Sequence, residues 1–358
     1  MSLSIGIVGL PNVGKSTLFN ALTNNNILAA NYPFATIEPN TGIVPVPDNR
    51  LDVLQKMYNA EKTIPATVTF VDIAGLVAGA SQGEGLGNKF LANIRQCDAI
   101  IHVVRAFDND DIVHVNNRVD PGNDIEIINT ELILADIQTI ESRINKLSKE
   151  AKANPNAKKS LDHLNSLLGE LRAGNTIAHI QNVNQEIIAD LHLLTAKPII
   201  YVFNLDEEDL SNTEKQAELR GLVAPSPALF INARFEQDLN NLSDTEITEM
   251  LEMYGVEETG LAKLIQEAYK ILGLQSYLTA GPKEVRAWTI KKGSSAPVAA
   301  GVIHTDFERG FIAAQVVNYA DLIASGSEIA AKNAGKVRTE GKDYIMQPND
   351  VVEFRFNV

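Results

Sequence analysis

Short apolar runs recur along the chain and alternate with segments of helical character. The first run is Ser4–Val8, and four more follow it. Runs that are apolar at nearly every position are typical of strands buried on both faces of a sheet. They predict an α/β fold, with a doubly wound, mostly parallel sheet and helices outside it. The later runs are Thr67–Asp72, Ala99–Val104, Pro198–Phe203 and Ala228–Ile231.

A long helical stretch interrupts this alternation at residues 131–196. Isoleucine and leucine recur every three or four residues from Ile133 to Leu147, and leucine does so again from Leu161 to Leu171. Asn154-Pro155-Asn156 separates the two stretches, since proline breaks a helix. The spacing predicts an inserted antiparallel helical hairpin or short coiled coil that projects from the sheet domain. Two ordinary amphipathic surface helices are the alternative.

The pattern changes again after Leu274. Glu284–Ile290 and Val351–Phe356 alternate in the manner of strands, with glycine-rich turns and one short helix candidate between them. About eighty residues of this kind predict a small α+β module with its own core, with a boundary near residues 273–276. The predicted domains are therefore a sheet domain of residues 1–130 and 197–274, a helical insertion of residues 131–196, and a C-terminal module of residues 275–358.

Composition narrows the class of protein. The 358 residues include 45% apolar and 21% charged residues, an ordinary globular balance. The net charge of −14 argues against non-specific wrapping of nucleic acid, although Tyr277–Val358 is nearly balanced, with 10 basic and 9 acidic residues. The single cysteine, Cys97, excludes an internal disulfide framework. We find neither a secretory signal nor an apolar run of about 20 residues. The sequence predicts a soluble, cytoplasmic protein without a membrane partner.

One glycine-rich loop carries the strongest chemical signal. Residues 9–17, GLPNVGKST, fit the phosphate-binding pattern G-x-x-x-x-G-K-[ST] between the first strand and a predicted helix. Such a loop directs backbone N–H groups and a helix N-terminus at one anion, so we expect a bound nucleoside triphosphate rather than an empty glycine turn. Lys15 would neutralise the β- and γ-phosphates, and the Ser16 hydroxyl would ligate Mg²⁺. The predicted phosphate ligands are the N–H groups of Asn12, Val13, Gly14, Lys15, Ser16 and Thr17.

Two further segments fit a nucleotide-dependent switch. Asp72-Ile73-Ala74-Gly75 ends a predicted strand and matches D-x-x-G. In switch GTPases this aspartate holds Mg²⁺ through water, and the glycine N–H senses the γ-phosphate. The polar loop 31–42 contains Thr36, which we expect to complete the Mg²⁺ shell. The predicted metal ligands are therefore Ser16, Thr36 and Asp72, and the predicted catalytic groups include Lys15 and Gly75.

At this point the chain resembles the Obg-related switch NTPases, and within them the YchF family of ribosome-associated ATPases. The resemblance rests on GLPNVGKST, NYPFATIEPNTG, DIAGLVAGASQGEGLGNKFL and the tetrad NLDE at residues 204–207. It runs from Ile5 to the C-terminus and includes the helical insertion. AWTIKKG and the closing DVVEFRFNV resemble the TGS module, a ubiquitin-like β-grasp fold. The resemblance implies an ATP hydrolase that binds the ribosome, meaning the large subunit and the whole particle, and it leaves open whether the TGS module contacts RNA or protein.

The tetrad departs from guanine-reading loops. Those loops read N-K-x-D, and the aspartate accepts hydrogen bonds from guanine N1–H and the 2-amino group. In Asn204-Leu205-Asp206-Glu207, leucine replaces the lysine and glutamate replaces the aspartate. Losing that acceptor should cost guanine about 1–3 kcal/mol. The resemblance implies that adenine gains a contact through the main chain near Leu205, and Ala233 belongs to the predicted second wall of the base pocket. A polar turn without a ligand is the alternative.

The position after D-x-x-G is Leu76, where many switch GTPases carry a water-orienting glutamine. Slow intrinsic hydrolysis is expected unless another group replaces it. The resemblance points to His114, in an acidic loop, as that group, although a lone loop histidine is more often a surface residue. In related proteins that lack the glutamine, an asparagine at the place of Asn12 helps to bind K⁺. We therefore hypothesise stimulation by K⁺.

The remaining polar residues are assigned structural roles. His102 lies within a predicted strand and should be a packed, satisfied histidine. The neighbours of Cys97 do not stabilise a thiolate, which favours a structural role. The carboxylate runs at residues 108–111 and 206–209 are interpreted as solvated turns.

Three functions compete. The leading one is an ATP hydrolase whose nucleotide state adjusts a ribosome-binding surface. A GTP-dependent translation or ribosome-assembly factor is the first rival. The second is a nucleotide-gated binding scaffold in which hydrolysis is incidental. A phosphotransferase is weaker, because nothing in the sequence resembles an acceptor pocket.

Overall fold

The computed structural model describes residues 3–24, 40–73, 86–109, 118–152 and 154–357. It divides into two compact units, Met1–Ile43 with Thr69–Leu264, and Val44–Val68 with Ile265–Val358. The second unit thus takes in a segment, residues 44–68, that the sequence placed in the sheet domain. The three-part domain division stays a prediction.

The first unit is built on the predicted α/β sheet. Strand β1 (Ser4–Val8) lies between β4 (Thr67–Asp72) and β5 (Ala99–Arg105) and pairs with both in parallel. Strands β6 (Ile199–Asn204) and β7 (Ala228–Ile231) continue the parallel arrangement. With β2 (Thr41–Pro45) at the other edge, the order is β2-β4-β1-β5-β6-β7. All seven residues of β5 are buried, as expected for a strand covered on both faces.

Helices connect these strands and continue into the second unit. The predicted helix after the phosphate loop is confirmed and begins at Lys15. The helices up to residue 271 are α1 (Lys15–Asn24), α2 (Arg50–Tyr58), α3 (Leu86–Gln96), α4 (Pro121–Glu150), α5 (Pro155–Arg172), α6 (Gln185–Ile188), α7 (Thr213–Val223), α8 (Ala233–Leu239), α9 (Asp244–Met253) and α10 (Gly260–Ile271). Short 3-10 turns lie at Ile177–His179, Ala189–Leu191 and Glu207–Ser211. No helix in the described part of the chain is long and apolar enough to cross a membrane.

Helices α4 and α5 form the predicted hairpin. Ile140 and Leu164 are fully buried in its apolar core, because the predicted isoleucine and leucine seams face each other. Asn154 caps α5 by accepting the Asn156 N–H at 3.0 Å, and Pro155 occupies the first helical position. The hairpin is therefore confirmed, although α4 begins at Pro121, well before the predicted residue 131.

The second unit contains a mixed sheet around its own core. Its strand order is β11-β10-β12-β8-β9-β3. Buried Tyr277, Ala314 and Val316 lie in the core. The strands are β3 (Thr63–Ile64), β8 (Leu274–Ala280), β9 (Val285–Lys291), β10 (Phe311–Asn318), β11 (Arg338–Glu340) and β12 (Asp350–Phe356).

The prediction of one short helix in this region was wrong, because the structure has four. Each is too short to show a helical repeat in the sequence, and three of them depend on side-chain caps at His304, Asn318 and Ser327. The four helices are α11 (Ala296–Ile303), α12 (Thr305–Arg309), α13 (Tyr319–Ser325) and α14 (Glu328–Asn333).

The segment 44–68 joins the second unit through pairing and hydrogen bonds. Strand β3 pairs with β9 in parallel. At the start of α2, the Arg50 guanidinium donates to both carboxylate oxygens of Asp48, at 2.8 and 2.7 Å. It also donates to the Pro348 carbonyl at 2.6 Å and to Asn349 Oδ1 at 2.9 Å. These contacts link positions some 300 residues apart, which no local sequence pattern reveals.

Candidate nucleotide-binding site

The phosphate-binding loop connects the end of β1 to the start of α1. Strand β1 ends at Val8 and α1 begins at Lys15, and the Leu18 N–H donates to the Gly14 carbonyl at 2.9 Å. The first turn of α1 therefore begins within the loop, and its N-terminal N–H groups have no partner within the helix. This is the strand, loop and helix order that the motif requires.

Gly14 occupies a position that only glycine tolerates. Its φ is +98°, in the left-handed region. A Cβ built on Gly14 would lie 2.4 Å from Nδ2 of Asn204, closer than van der Waals contact allows. The glycine therefore permits the phosphate loop and the tetrad to approach each other.

Lys15 is held inside the loop. Its side chain is 7% exposed, and its ammonium donates to the Leu10 carbonyl at 2.6 Å. Burial lowers the pKa of Lys15 to about 8, and the nearby Asp72 carboxylate opposes that shift. Burial likewise raises the pKa of Asp72, against the opposing effect of Lys15. The pair gives the site a buried cation that an anionic ligand would stabilise.

The predicted Mg²⁺ ligands that the structure describes fit a P-loop metal site. Ser16 is exposed in the first turn of α1, and Asp72 ends β4, the neighbour of β1. Within the described residues no group of three or more His, Cys, Asp or Glu side chains could hold a metal ion. Thr36 lies outside the described residues, as do Gly75, Leu76 and His114.

Asn204, the first residue of the tetrad, joins the phosphate loop to Ala233 at the start of α8. Its Nδ2 donates to the Val13 carbonyl at 3.0 Å, and its Oδ1 accepts the Ala233 N–H at 2.9 Å. Asn204 is 6% exposed. One amide side chain therefore fixes three segments that are remote in sequence.

Leu205 and Asp206 also form hydrogen bonds to other segments of the chain. Leu205 is fully buried, its N–H donates to the Ile231 carbonyl at 2.7 Å, and its carbonyl accepts from Asn232 Nδ2 at 2.7 Å. Both main-chain polar groups of Leu205 therefore already have partners within the protein. The Asp206 carboxylate accepts the Asp108 N–H at 3.0 Å.

Glu207 makes the contact that sequence analysis missed. The Tyr254 hydroxyl donates to Glu207 Oε2 at 2.6 Å. Asp209, further along the same run, forms an ion pair of 2.5 Å with Lys215. Residues 206–209 thus lie in a turn that is partly exposed, as predicted, and three of its carboxylates also form hydrogen bonds or an ion pair that the sequence did not reveal. Tyr254 gave no signal in the sequence because it follows α9, 47 residues beyond its partner.

A cavity of about 950 Å³ opens between the phosphate loop and the tetrad. Its size suits a nucleotide, since small-molecule sites are typically about 300–1,000 Å³. The residues that line it are Asn12, Gly14, Thr17, Phe107, Asn109, Asn204–Asp209, Asn232–Arg234 and Gln237. Base-wall and phosphate-loop residues predicted from separate parts of the sequence therefore surround one space.

The two side chains assigned structural roles are both buried. Cys97 is 3% exposed and burial raises the pKa of its thiol, which supports the structural role. His102 is 1% exposed and burial lowers its pKa to about 3, so it is neutral. Among the described residues its Nδ1 has no hydrogen-bond partner. It is packed as predicted, with its ring centroid 5.3 Å from that of Tyr201, but the expectation that it is satisfied was wrong for Nδ1.

The fold and this loop define a P-loop nucleotide-binding domain of the switch GTPase class. A family model described as "50S ribosome-binding GTPase" matches residues 4–129. A second model, YchF-GTPase_C, described as "Protein of unknown function (DUF933)", matches residues 274–357. The two matches fall on the phosphate-loop region and on the C-terminal sheet.

Full-length relatives give the family. "Ribosome-binding ATPase YchF" of Haemophilus ducreyi is 53% identical, and that of Bacillus subtilis is 51% identical, each over 100% of both chains. The solved structure of the Schizosaccharomyces pombe YchF GTPase has a TM-score of 0.88 and 39% identity, covering 99% of this chain and 98% of that one. The chain belongs to the YchF family.

Proposed function

We propose that this protein binds ATP with Mg²⁺, hydrolyses it to ADP and phosphate, and binds the ribosome. The observation that carries the proposal is the cavity in which Asn204 joins the phosphate loop to a tetrad lacking the lysine and aspartate of guanine readers. The name "ribosome-binding ATPase" of the full-length relatives supports both activities.

The described residues have distinct roles toward the triphosphate. The backbone N–H groups from Asn12 to Thr17 would surround the phosphates, and Lys15 would turn from the Leu10 carbonyl to the β- and γ-phosphates. Ser16 and Asp72 would hold Mg²⁺, with Thr36 completing the shell. The bound ion would neutralise charge on the β- and γ-phosphate oxygens.

Gly75 and His114 are proposed for hydrolysis. The Gly75 N–H would sense the γ-phosphate, and His114 would position water for in-line attack in place of the glutamine that Leu76 replaces. Asn12, which lines the cavity with φ of +62°, would help to bind K⁺ beside the phosphates. We expect faster ATP turnover in K⁺ than in Na⁺. Equal rates in the two salts would contradict the proposed K⁺ site.

The adenine base would lie between the tetrad and the wall at Ala233. The main chain near Leu205 would contact the adenine 6-amino group, and this is the gain that guanine does not share. Guanine would instead leave its N1–H and 2-amino donors without the aspartate geometry they need. An unpaired buried donor costs about 1–3 kcal/mol, enough to decide the preference.

The ribosome is the proposed macromolecular partner, contacted as the large subunit and as the whole particle. A cytoplasmic location would follow from that partner. The C-terminal module of residues 275–358 is proposed to be a TGS module, and its nearly balanced charge suits an RNA or protein contact.

A GTP-dependent factor is the second candidate, because one matching family model is described as a GTPase. Turnover of ATP and GTP, measured separately with and without purified ribosomes, tests the proposal. We expect ATP to be the better substrate and the protein to cosediment with ribosomes. Better turnover of GTP would favour the rival factor, and ribosome binding that is indifferent to His114→Ala would favour a scaffold.

A further inference from the structure

The contact between Glu207 and Tyr254 lies behind the base pocket. Glu207 lines the cavity, whereas Tyr254 follows α9 and approaches the carboxylate from outside the cavity lining. The Tyr254 hydroxyl donates to Glu207 Oε2 at 2.6 Å. A hydrogen bond of this length to a carboxylate belongs to the short, charge-assisted class.

The tyrosine ring is placed by the same helix that forms the second wall of the pocket. Tyr254 packs edge to face on Phe235, with ring centroids 4.9 Å apart and planes at 70°. Phe235 is 3% exposed and lies in the first turn of α8, whose first residue is Ala233. Donation to the Glu207 carboxylate raises the pKa of Tyr254, so the hydroxyl remains a proton donor.

Glu207 is the one tetrad residue whose carboxylate could replace the missing aspartate. Asn204, Leu205 and Asp206 are each committed to other segments of the chain. A guanine base needs two acceptors side by side, one for N1–H and one for the 2-amino group. A glutamate whose Oε2 is turned toward Tyr254 does not present that pair, and adenine loses nothing, because its N1 is an acceptor and it has no 2-amino group.

We propose that Tyr254 positions Glu207 and thereby sets the choice of base: the tyrosine holds the carboxylate away from the guanine-reading geometry and leaves the pocket to adenine nucleotides. This role rests on the proposed ATP preference and supplies its second half, the rejection of guanine. Tyr254 acts through Glu207 and touches neither the phosphates nor the reacting atoms.

Tyr254→Phe is the direct test, because it removes the hydroxyl and keeps the ring that packs on Phe235. Dissociation constants of non-hydrolysable ATP and GTP analogues are measured by titration in the full chain. The ratio of GTP to ATP affinity should rise about tenfold, the value of one charge-assisted hydrogen bond. ATP affinity should change little.

Tyr201→Phe is the matched control. It removes the hydroxyl of a buried tyrosine, one that lies 3.4 Å from Asn129 Oδ1 and away from the cavity. The GTP to ATP ratio should be that of the wild type. Glu207→Asp is the second test variant, because its shorter carboxylate cannot reach Tyr254 and restores the residue of guanine-reading loops. It should raise the ratio by at least as much as Tyr254→Phe.

The double variant Tyr254→Phe with Glu207→Asp should show no gain beyond that of Glu207→Asp, because the contact is already lost. An unchanged ratio in folded Tyr254→Phe overturns the proposal. A parallel loss of ATP and GTP affinity in Tyr254→Phe also overturns it, because that result indicates a purely structural tyrosine. The same holds if Glu207→Asp does not raise the ratio of GTP to ATP affinity. A wild type that prefers GTP contradicts the proposed function instead, since the role of Tyr254 is judged on the change between variant and wild type.

Discussion

At the scale of single residues, the site depends on close approaches between loops. Gly14 lets the phosphate loop meet Asn204, and Asn204 in turn holds Val13 and Ala233. No side chain larger than hydrogen fits at Gly14. Substitution of Gly14 should therefore affect both nucleotide binding and the free energy of unfolding.

Gly14→Ala should abolish measurable nucleotide binding and lower the free energy of unfolding by about 1–3 kcal/mol. The added Cβ would collide with Asn204 Nδ2 at 2.4 Å and would force alanine into φ of +98°. Nucleotide titration and thermal unfolding measure the two effects. Gly169→Ala makes the same chemical change in α5, where nothing lies within 4 Å of the new Cβ. It should leave binding intact and stabilise by up to about 1 kcal/mol, whereas equal effects at both positions would contradict the account of Gly14.

The lowered pKa of Lys15 predicts that nucleotide binding depends on pH. Its pKa is about 8 in the nucleotide-free protein, and triphosphate oxygens should raise it, so binding above pH 8 takes up a proton. Lys15 is already charged below that pH. Affinity should therefore be level below pH 8 and fall by up to about tenfold per pH unit above it. Calorimetry at pH 9 in two buffers of different ionisation heat measures the uptake, which Lys15→Met should lack. If the wild-type affinity for the nucleotide is constant from pH 8 to 9.5, Lys15 does not take up a proton on binding.

Some residues of the site could be predicted from the sequence and others could not, for a physical reason. Lys15 and Asn204 belong to short motifs whose spacing predicts their roles, and the structure joins Asn204 to Val13 of the phosphate loop. Tyr254 belongs to no motif, and its proposed role depends on a contact across the chain, in which the residue that follows α9 packs on Phe235 of α8. Thr36, Gly75 and His114 remain predictions of the sequence.

At the scale of elements, a buried carboxylate joins α4 to the segment that leads into β6. Asp136, on α4, is 0% exposed and accepts the Leu194 N–H at 2.8 Å and the Thr195 N–H at 2.7 Å. The Thr195 hydroxyl donates to it at 2.8 Å. Residues 194 and 195 precede β6, whose last residue, Asn204, is the first residue of the tetrad.

Asp136→Ala should lower the free energy of unfolding by about 3 kcal/mol or more, because it leaves buried N–H donors unpaired. Thermal or denaturant unfolding measures the loss. Glu141→Ala is the control on the same helix, since its ion pair with Arg172 is exposed and should contribute less than about 0.5 kcal/mol. Similar losses in the two variants would show that Asp136 is no anchor.

Element prediction worked where the repeat was long or the strand central. The seams of α4 and α5 supply enough turns for the helical period to appear, and β1 and β5 are apolar throughout. Only one of the four short helices α11–α14 was predicted, and the edge strands β3 and β11 were missed, because two to eight residues carry too little periodicity. Their positions are set by caps and by pairing with distant strands.

At the scale of the whole molecule, the chain crosses between its two units more often than the sequence indicates. Residues 44–68 leave the first unit, add α2 and β3 to the second, and return at β4. Arg50 is the most specific link within the second unit, because it contacts Asp48, Pro348 and Asn349.

Arg50→Ala should destabilise the second unit by about 1–3 kcal/mol through the loss of charge-assisted hydrogen bonds. Amide hydrogen exchange should quicken in β8, β9 and β12, while β1 and β5 keep their protection. Lys270→Ala is the control, because it removes a cation that forms only an exposed ion pair with Glu267. It should change neither stability nor amide exchange measurably. Unaltered exchange in Arg50→Ala would show that the 44–68 segment is not held by this residue.

The central claim is that the pocket formed by the phosphate loop, the tetrad and the wall at Ala233 accepts adenine in preference to guanine. Calorimetric titration of the full chain with non-hydrolysable ATP and GTP analogues, in Mg²⁺ and at one pH, tests it most directly. The account predicts that the ATP analogue binds at least about tenfold more tightly, a difference of about 1.4 kcal/mol. Tighter binding of the GTP analogue by the same margin would contradict it.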